Sequence, residues 1–148
     1  MGCMRKFIPN IITPEDASYL VGLTTNKSYR DILKKNPVLD HPVLGDIRGR
    51  IEETVSGSWD SPAYSRIEFN AIPHKWHKDT GSNNHMSWCT YGCSVLLTNK
   101  EEAGYLEYRD GHILYPDEHY CGLAIHSGDV EHRTVHSGGR VTYLAFLS

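Results

Sequence analysis

The sequence predicts a mainly β protein with helices at its front, in the α+β class, and an antiparallel barrel or jelly roll as its core. Up to about residue 57 the apolar residues follow the spacing of amphipathic helices. From Ser58 onward, short segments rich in β-branched and aromatic residues are separated by Gly, Asn, Asp and Pro. No helical pattern lies between these segments, so a parallel α/β sheet is disfavoured.

Two helices are predicted in the front part of the chain. Thr13 can cap the first one, Pro14 suits its first turn, and the acidic residues that follow favour the helix dipole. The second helix should end near residue 56, and two glycines weaken it without abolishing it. Its apolar face is formed by residues three or four apart: Val43, Leu44, Ile47, Ile51 and Val55.

Six strand candidates follow Ser58, and we expect the two helices to cover one face of the sandwich that they form. The candidates are "YSRIEFNAI", "CSVLLTN", "GYLEYRD", "HYCGLAIHS", "EHRTVHS" and "RVTYLAFLS". Turn residues separate them, as at residues 108–111 and 127–129. With 148 residues, we expect a single domain over 1–148, with a helical face over about 1–57 and a β core over 58–148.

Charge and composition exclude several classes of partner. The net charge is −3 and no run of five like charges occurs, so neither nucleic acid nor an anionic membrane is expected. No apolar run is long enough to span a bilayer, and the first residues lack the apolar segment of a secretory signal. We therefore expect a cytoplasmic protein whose four cysteines are free thiols: Cys3, Cys89, Cys93 and Cys121.

Residues 74–81, "HKWHKDTG", contain a candidate metal-binding pair directly after the strand candidate "RIEFNAI". If the chain is extended there, His77 and Asp79 lie on the same face and Lys78 on the other. His74 lies three residues before His77, a spacing that suits a helical turn better. An imidazole beside a carboxylate suits one cation, but so short a pattern also arises by chance.

The end of the chain supplies groups that would complete such a site. His132 lies in the candidate strand "EHRTVHS", and Arg140 opens the last strand. A guanidinium is costly to bury unpaired, so Arg140 indicates an anionic partner. Alternation places four residues on one face of this strand: Arg140, Thr142, Leu144 and Phe146. That face has a cation and a hydroxyl at one end and is otherwise apolar, which suits a small dicarboxylate.

Together these residues resemble the Fe(II)- and 2-oxoglutarate-dependent dioxygenases, specifically their prolyl-hydroxylase-like branch. That family has His-x-Asp, a distal His, and then Arg or Lys, often followed by Ser or Thr. The matching positions here are His77-Lys78-Asp79, His132, Arg140 and Thr142. "FIPNIITPEDASYL" is similar to the family's entry into its first helix, and "SVLLTNKEEAGYLEYRDG" to the strands between its metal motifs.

The resemblance implies a double-stranded β-helix core, the cupin-like form of the jelly roll. It implies that His77, Asp79 and His132 are the iron ligands and catalytic residues, and that Arg140 and Thr142 bind 2-oxoglutarate. The implied reaction consumes O2, releases succinate and CO2 and hydroxylates a C–H bond, with ascorbate as a reductant. A prolyl residue in a peptide or protein is the first substrate expected, and a small molecule such as a free amino acid the next.

Two details of this assignment stay open. His136 rivals His132 as the distal ligand, although it lies in a predicted turn close to the arginine. Many relatives also place a tyrosine on the strand that reads "SVLLTN" here, to help bind 2-oxoglutarate. Tyr64 or Tyr91 would have to take its place.

Two interpretations of other classes also stay open. One is a jelly roll that binds a metal or ligand without turnover, and the other is a structural zinc protein using Cys89 and Cys93. We expect loops 80–88 and 109–118 to select the substrate, since little chain lies outside the core. Four other histidines are expected at the surface or in turns, without a role: His85, His112, His119 and His126.

Overall fold

The computed structural model describes residues 4–25, 42–60, 63–80 and 86–148. Besides a single 3₁₀ turn, Glu101–Ala103, this part of the chain contains eight strands and three helices. In chain order these are β1 (Arg5–Ile8), α1 (Pro14–Leu23), α2 (Pro42–Thr54), β2 (Tyr64–Glu68), β3 (Tyr91–Leu96), β4 (Tyr105–Tyr108), β5 (Ile113–Leu114), α3 (Pro116–His119), β6 (Leu123–Ser127), β7 (His132–Val135) and β8 (Thr142–Leu147).

The strands form two antiparallel sheets. One has five strands in the order β1-β6-β3-β8-β2, and the other has three in the order β5-β4-β7. Each of the six segments predicted as a strand overlaps an observed one, and α1 and α2 precede them. The prediction of a mainly β protein with helices at its front is therefore confirmed.

Three short elements have no clear signal in the sequence: β1, β5 and α3. Strand β1 reads "RKFI", in which two charged residues are exposed and two apolar ones are partly buried. It exists because it pairs with β6, with Phe7 opposite Ala124. A four-residue strand that is stabilised by a partner far away in the chain leaves little local pattern to detect.

The two long helices pack against one face of the five-stranded sheet, as predicted. Helix α1 begins with a capping box, in which Thr13 Oγ1 accepts a hydrogen bond from the Asp16 N–H at 3.1 Å and the Asp16 carboxylate accepts one from the Thr13 N–H. The core between helices and sheet includes Ala17, Leu20, Leu44, Ile47 and Ile51 from the helices and Ile67, Val95, Ile125, Tyr143 and Ala145 from the sheet.

The three-stranded sheet covers part of the opposite face. Leu106, Tyr108 and Leu114 pack there against Ala124 of β6. Between the two sheets lies a cavity of about 380 Å³, lined by side chains of β2, β3, β7 and β8 and of residues 74–79. The inward-facing residues of both sheets therefore form the walls of the candidate site.

The described cysteines are buried free thiols: Cys89, Cys93 and Cys121. Cys3 lies outside the described residues, as does most of the loop 80–88 and with it His85. No helix in the described part of the chain combines the length and the apolar character that crossing a membrane requires.

Candidate active site

The segment after β2 runs beside β7 and brings two histidines opposite each other. The His77 N–H donates to the His132 carbonyl at 3.0 Å, and the His132 N–H donates to the His77 carbonyl at 2.9 Å. Their rings lie 4.3 Å apart between centroids. The segment is therefore extended at His77, so that His77 and Asp79 project to the same side.

Three ligand atoms converge at this end of the cavity. Asp79 Oδ1 lies 3.6 Å from His77 Nε2 and 3.3 Å from His132 Nε2. Among the residues that the structure describes, this is the one group of three or more His, Cys, Asp or Glu able to hold a metal ion. With metal–nitrogen bonds of about 2.0–2.1 Å, ligands at right angles lie about 3 Å apart, so the spacing fits a small metal ion.

The ring orientation of both histidines also fits a metal. His77 Nδ1 lies 2.6 Å from the Lys75 carbonyl, and His132 Nδ1 lies 2.9 Å from the Val130 carbonyl. A carbonyl only accepts, so each Nδ1 carries a proton, and in the neutral form of each ring the lone pair is therefore on Nε2. Such a bond from the other ring nitrogen is typical of metal-binding histidines.

Burial and the neighbouring charges set the protonation of this cluster. Burial raises the pKa of Asp79, but hydrogen bonds from His126 and His132 and their charges outweigh it and hold that pKa well below its ordinary value. Burial and the nearby His132 lower the pKa of His77. Burial also lowers the pKa of His132, but the hydrogen bond and charge of Asp79 outweigh it and raise that pKa. At neutral pH the site thus offers a carboxylate and a neutral His77.

His126, expected at the surface or in a turn, is instead buried beside Asp79. Its side chain is 4% exposed, and its Nε2 lies 2.7 Å from Asp79 Oδ2. Its Nδ1 lies 3.2 Å from the Tyr108 hydroxyl. The sequence contained one signal for this contact. His126 lies two residues after Ala124 on β6, so the two side chains share the face that is turned toward the three-stranded sheet.

His119 is a second histidine for which that expectation is wrong. It ends α3, is 0% exposed, and its Nε2 lies 3.2 Å from the Ser94 carbonyl. Its Nδ1 is buried without a hydrogen-bond partner. His112, in contrast, is exposed after the predicted turn at 108–111, where the Gly111 N–H donates to the Tyr108 carbonyl.

The other end of the cavity contains a buried cation. Arg140 is 8% exposed, and its Nη1 donates to the Ala103 carbonyl at 2.9 Å. Burial lowers the pKa of Arg140 to about 10, and the charge of Glu68 partly opposes this, so the guanidinium stays charged at neutral pH. Strand β8 begins at Thr142, so Arg140 lies two residues before the strand that it was expected to open. As alternation predicted, it nevertheless lines the cavity together with one face of that strand: Arg140, Thr142, Leu144 and Phe146.

Glu68 at the end of β2 is a cavity residue that the sequence analysis missed. Its carboxylate lies 3.0 Å from Arg66 Nη2 and 3.0 Å from His74 Nε2. Burial raises the pKa of Glu68, but the hydrogen bond and charge of His74 outweigh it and lower that pKa. The only signal for Glu68 in the sequence was that two charged residues, Arg66 and Glu68, lie two apart on a half-buried strand.

The structure separates the rival candidates. His136 is outside the metal-binding group, and its Cα lies beside Gly104, next to Ala103, whose carbonyl Arg140 binds. Burial and the charge of Arg140 lower the pKa of His136. Tyr64 lines the cavity, whereas Tyr91 packs against the core beneath the helices. The Cys89 thiol donates to the Tyr91 carbonyl, and burial raises its pKa to about 12, so it is a poor zinc ligand.

Neither a protein-family model nor a curated protein matches the sequence. Solved structures match nearly the whole chain. A Pseudomonas putida prolyl-4-hydroxylase has a TM-score of 0.66 at 11% identity, over 99% of this chain and 91% of its own. A viral collagen prolyl hydroxylase from Paramecium Bursaria Chlorella virus-1, in complex with 2-oxoglutarate, has a TM-score of 0.66 at 10% identity, over 97% of this chain and 94% of its own.

A third similar structure is EvdO2 from Micromonospora carbonacea var. aurantiaca complexed with 2-oxoglutarate. Its TM-score is 0.59 at 14% identity, over 97% of this chain and 86% of its own. The chain therefore shares the fold of these structures, a double-stranded β-helix, as the resemblance implied. At such low identity the likeness concerns the fold, so the activity has to be argued from the site.

Proposed function

We propose that this protein is an Fe(II)- and 2-oxoglutarate-dependent dioxygenase that hydroxylates a C–H bond and releases succinate and CO2. One observation carries the proposal. A single cavity of about 380 Å³ is lined at one end by the ligand set His77, Asp79 and His132 and at the other by the buried Arg140. Binding of 2-oxoglutarate requires both groups: a metal that its keto-acid end can chelate, and a cation at the other end of the cavity for its far carboxylate.

The ligand set suits Fe(II). Two imidazoles and one carboxylate form the facial triad that non-haem iron oxygenases use, which leaves coordination positions open. In this proposal His77 and His132 bind in their neutral form through Nε2, since Nδ1 carries the ring proton in each, and Asp79 binds through Oδ1. Fe(II) held there would supply the activation of O2 that side chains lack.

Arg140 and Thr142 are proposed to bind the far carboxylate. The bond from Arg140 Nη1 to the Ala103 carbonyl holds the guanidinium in place, and its other N–H groups are available as a fork. Thr142 lines the same cavity and adds a hydroxyl donor. Apolar walls from Leu106, Leu144 and Phe146 would flank the carbon chain of 2-oxoglutarate and exclude water.

The first substrate we propose is a prolyl residue in a peptide or protein, and the next is a free amino acid or another small molecule. Support for the first comes from the sequence resemblance and from the two prolyl hydroxylases of similar fold. At the cavity wall, Trp76 packs against the guanidinium groups of Arg109 and Arg133, at 4.1 and 4.7 Å from its ring. Arg109 begins the loop 109–118, one of the two proposed substrate loops.

Several finer expectations stay predictions. They are O2 as co-substrate, ascorbate as reductant, a cytoplasmic location and the organisation of residues 1–148 as a single domain. Selection of substrate by the loop 80–88 also stays a prediction, because residues 81–85 lie outside the described part of the chain.

The decisive test is an anaerobic titration of 2-oxoglutarate into the protein with and without Fe(II), followed by the weak visible charge-transfer band of the chelated keto acid. We expect a band that requires iron, is lost in Asp79→Ala and weakens in Arg140→Ala. Arg50→Ala is the matched control, since Arg50 is an exposed residue of α2 that pairs with Glu53. That variant should give the wild-type band.

No band in the wild type with iron shown to be loaded would contradict the proposal and favour a jelly roll without catalytic activity. Turnover is tested separately by measuring succinate in air with prolyl peptides and free amino acids. A normal band with no succinate above the substrate-free level for any candidate would also favour the non-catalytic alternative.

A further inference from the structure

A buried pair of side chains outside the ligand set is in contact with Asp79. Both His126 and Tyr108 are buried, and they connect β6 and β4 to the carboxylate. His126 Nε2 lies 2.7 Å from Asp79 Oδ2, and the Tyr108 hydroxyl lies 3.2 Å from His126 Nδ1. The direction of both bonds follows from chemistry, because an ionised carboxylate only accepts. His126 Nε2–H therefore donates to Asp79, and the Tyr108 hydroxyl donates to His126 Nδ1.

The two oxygens of Asp79 consequently have different surroundings. Oδ2 accepts from His126, whereas Oδ1 lies 3.3 Å from His132 Nε2 and 3.6 Å from His77 Nε2. Only Oδ1 is left facing the two candidate ligand nitrogens.

The backbone of β3 is shaped to allow this contact. Gly92 pairs with His126 across the β3–β6 ladder. A Cβ at position 92 would overlap Asp79 Oδ2 and lie 2.7 Å from His126 Nε2. A glycine within a buried strand often marks a close approach of another group, and here that group is the carboxylate with its histidine partner.

We infer that His126, oriented by Tyr108, is a positioning residue that restricts Asp79 to binding a metal through Oδ1 alone. This inference rests on the proposed function, because it concerns the same metal site. A carboxylate that binds through both oxygens takes two coordination positions, whereas the facial triad takes three positions in all and leaves the rest open. The hydrogen bond to Oδ2 keeps one more position free for co-substrate, at a site whose sequence motif does not include His126.

The test uses Co(II), whose visible spectrum reports coordination, without 2-oxoglutarate or turnover. His126→Phe keeps a ring but removes the donor, His126→Gln keeps an N–H near the place of Nε2–H, and Tyr108→Phe removes only the hydroxyl. His119→Phe is the matched control, because His119 is equally buried but donates to the Ser94 carbonyl instead of to a ligand. Thermal unfolding without metal is measured for every variant.

We expect His126→Phe to bind Co(II) about 10–100-fold more weakly, as for other partners of metal ligands, and to change the Co(II) spectrum. His126→Gln should recover most of the affinity and the wild-type spectrum, and Tyr108→Phe should give a smaller loss in the same direction. His119→Phe should match the wild type in both readouts, whatever its thermal stability.

An unchanged affinity and spectrum in His126→Phe would overturn the inference. So would an equal loss in His126→Phe and His126→Gln that follows their loss of thermal stability, since that pattern belongs to a core histidine. If His126→Phe does not fold, Tyr108→Phe decides, and wild-type Co(II) binding in it would overturn the inference. Failure of the wild type itself to bind Co(II) would instead overturn the metal site and the proposed function.

Discussion

The surroundings of the two ends of the cavity differ in how fully the protein satisfies its own polar groups. At the metal end, the Nδ1 atoms of His77 and His132 donate to carbonyls, and both ring nitrogens of His126 have partners. Around Arg140, the Nδ1 atoms of His119 and His136 are buried without a hydrogen-bond partner. Burial lowers the pKa of each of these two histidines, and the positive charge of Arg140 lowers it further, so both lie within the electrostatic reach of Arg140.

This difference indicates how each end would work. The metal end is organised by bonds within the protein, so its ligand atoms are held ready for an ion. Buried polar groups without partners are uncommon in native proteins and call for an explanation. Neither histidine lines the cavity, and the His119 ring donates through Nε2, so its Nδ1 can only accept. The charged guanidinium of Arg140 is therefore the group at this end that would bind an anionic co-substrate. Removing a group should therefore affect metal binding at one end and 2-oxoglutarate binding at the other.

The largest effect is expected from His132→Ala. It removes a ligand atom itself, so metal affinity should fall by more than the 10–100-fold typical of losing a ligand's partner. His136→Ala is the matched control, because His136 was the rival ligand and lies outside the metal-binding group. Calorimetry with Co(II) measures both. Loss of metal in His136→Ala with retention in His132→Ala would reverse the assignment.

The next largest effect is expected at the opposite end, in Arg140→Ala. A hydrogen bond to a charged group contributes about 1.5–3 kcal/mol, so 2-oxoglutarate affinity should fall by roughly 10–150-fold. Arg140→Lys keeps the charge but not the planar fork, and should be intermediate. Titration of the iron-loaded protein measures these affinities. Co(II) binding without 2-oxoglutarate should match the wild type in both variants, and a loss there would mean that the two ends are not independent.

A pH effect on stability is expected from His119. Burial, followed by the charge of Arg140, lowers its pKa to about 3 from 6.5. The unfolded chain therefore binds a proton below about pH 6.5 while the native state does not, so stability is full above that pH and falls as the pH drops toward 3. Each unit below about 6.5 removes up to about 1.4 kcal/mol.

The measurement is chemical unfolding at pH 7.5 and at pH 5. His119→Gln cannot titrate and keeps an N–H for the Ser94 carbonyl, so it should lose less stability than the wild type between the two pH values. Some loss should remain, because the pKa values of His77 and His126 are also lowered by burial. An identical loss in both proteins would mean that His119 is protonated in the native state.

A smaller effect is expected from Thr142→Val, which removes a hydroxyl and keeps the shape. A neutral hydrogen bond contributes about 1 kcal/mol, so 2-oxoglutarate affinity should fall about fivefold with metal affinity unchanged. The same titration measures it. An unchanged affinity would mean that another donor, such as the hydroxyl of Tyr64, binds the far carboxylate.

No effect on metal binding is expected from Cys89→Ser. The serine hydroxyl can still donate to the Tyr91 carbonyl, which the thiol does now. Metal content after purification and dialysis measures the outcome. Loss of metal in this variant, with retention in His132→Ala, would support the structural zinc interpretation instead.

Much of this molecule follows from local patterns in the sequence. Thr13 and Asp16 form a capping box because both partners lie within one turn. Arg140 and Thr142 line one cavity, and His77 and Asp79 project to one side, because an extended chain alternates faces. Each of these predictions needs only the geometry of a few neighbouring residues, which the order of the amino acids determines by itself.

The tertiary structure alone decided which of these faces meet. It placed His77 opposite His132, paired β1 with β6, and turned His126 toward Asp79 across the position of Gly92. Alternation identifies the two faces of a strand but not the partner, the register or the sheet that covers it. Those depend on pairing between distant parts of the chain. His126 therefore looked like an ordinary histidine until the sheets were assembled around it.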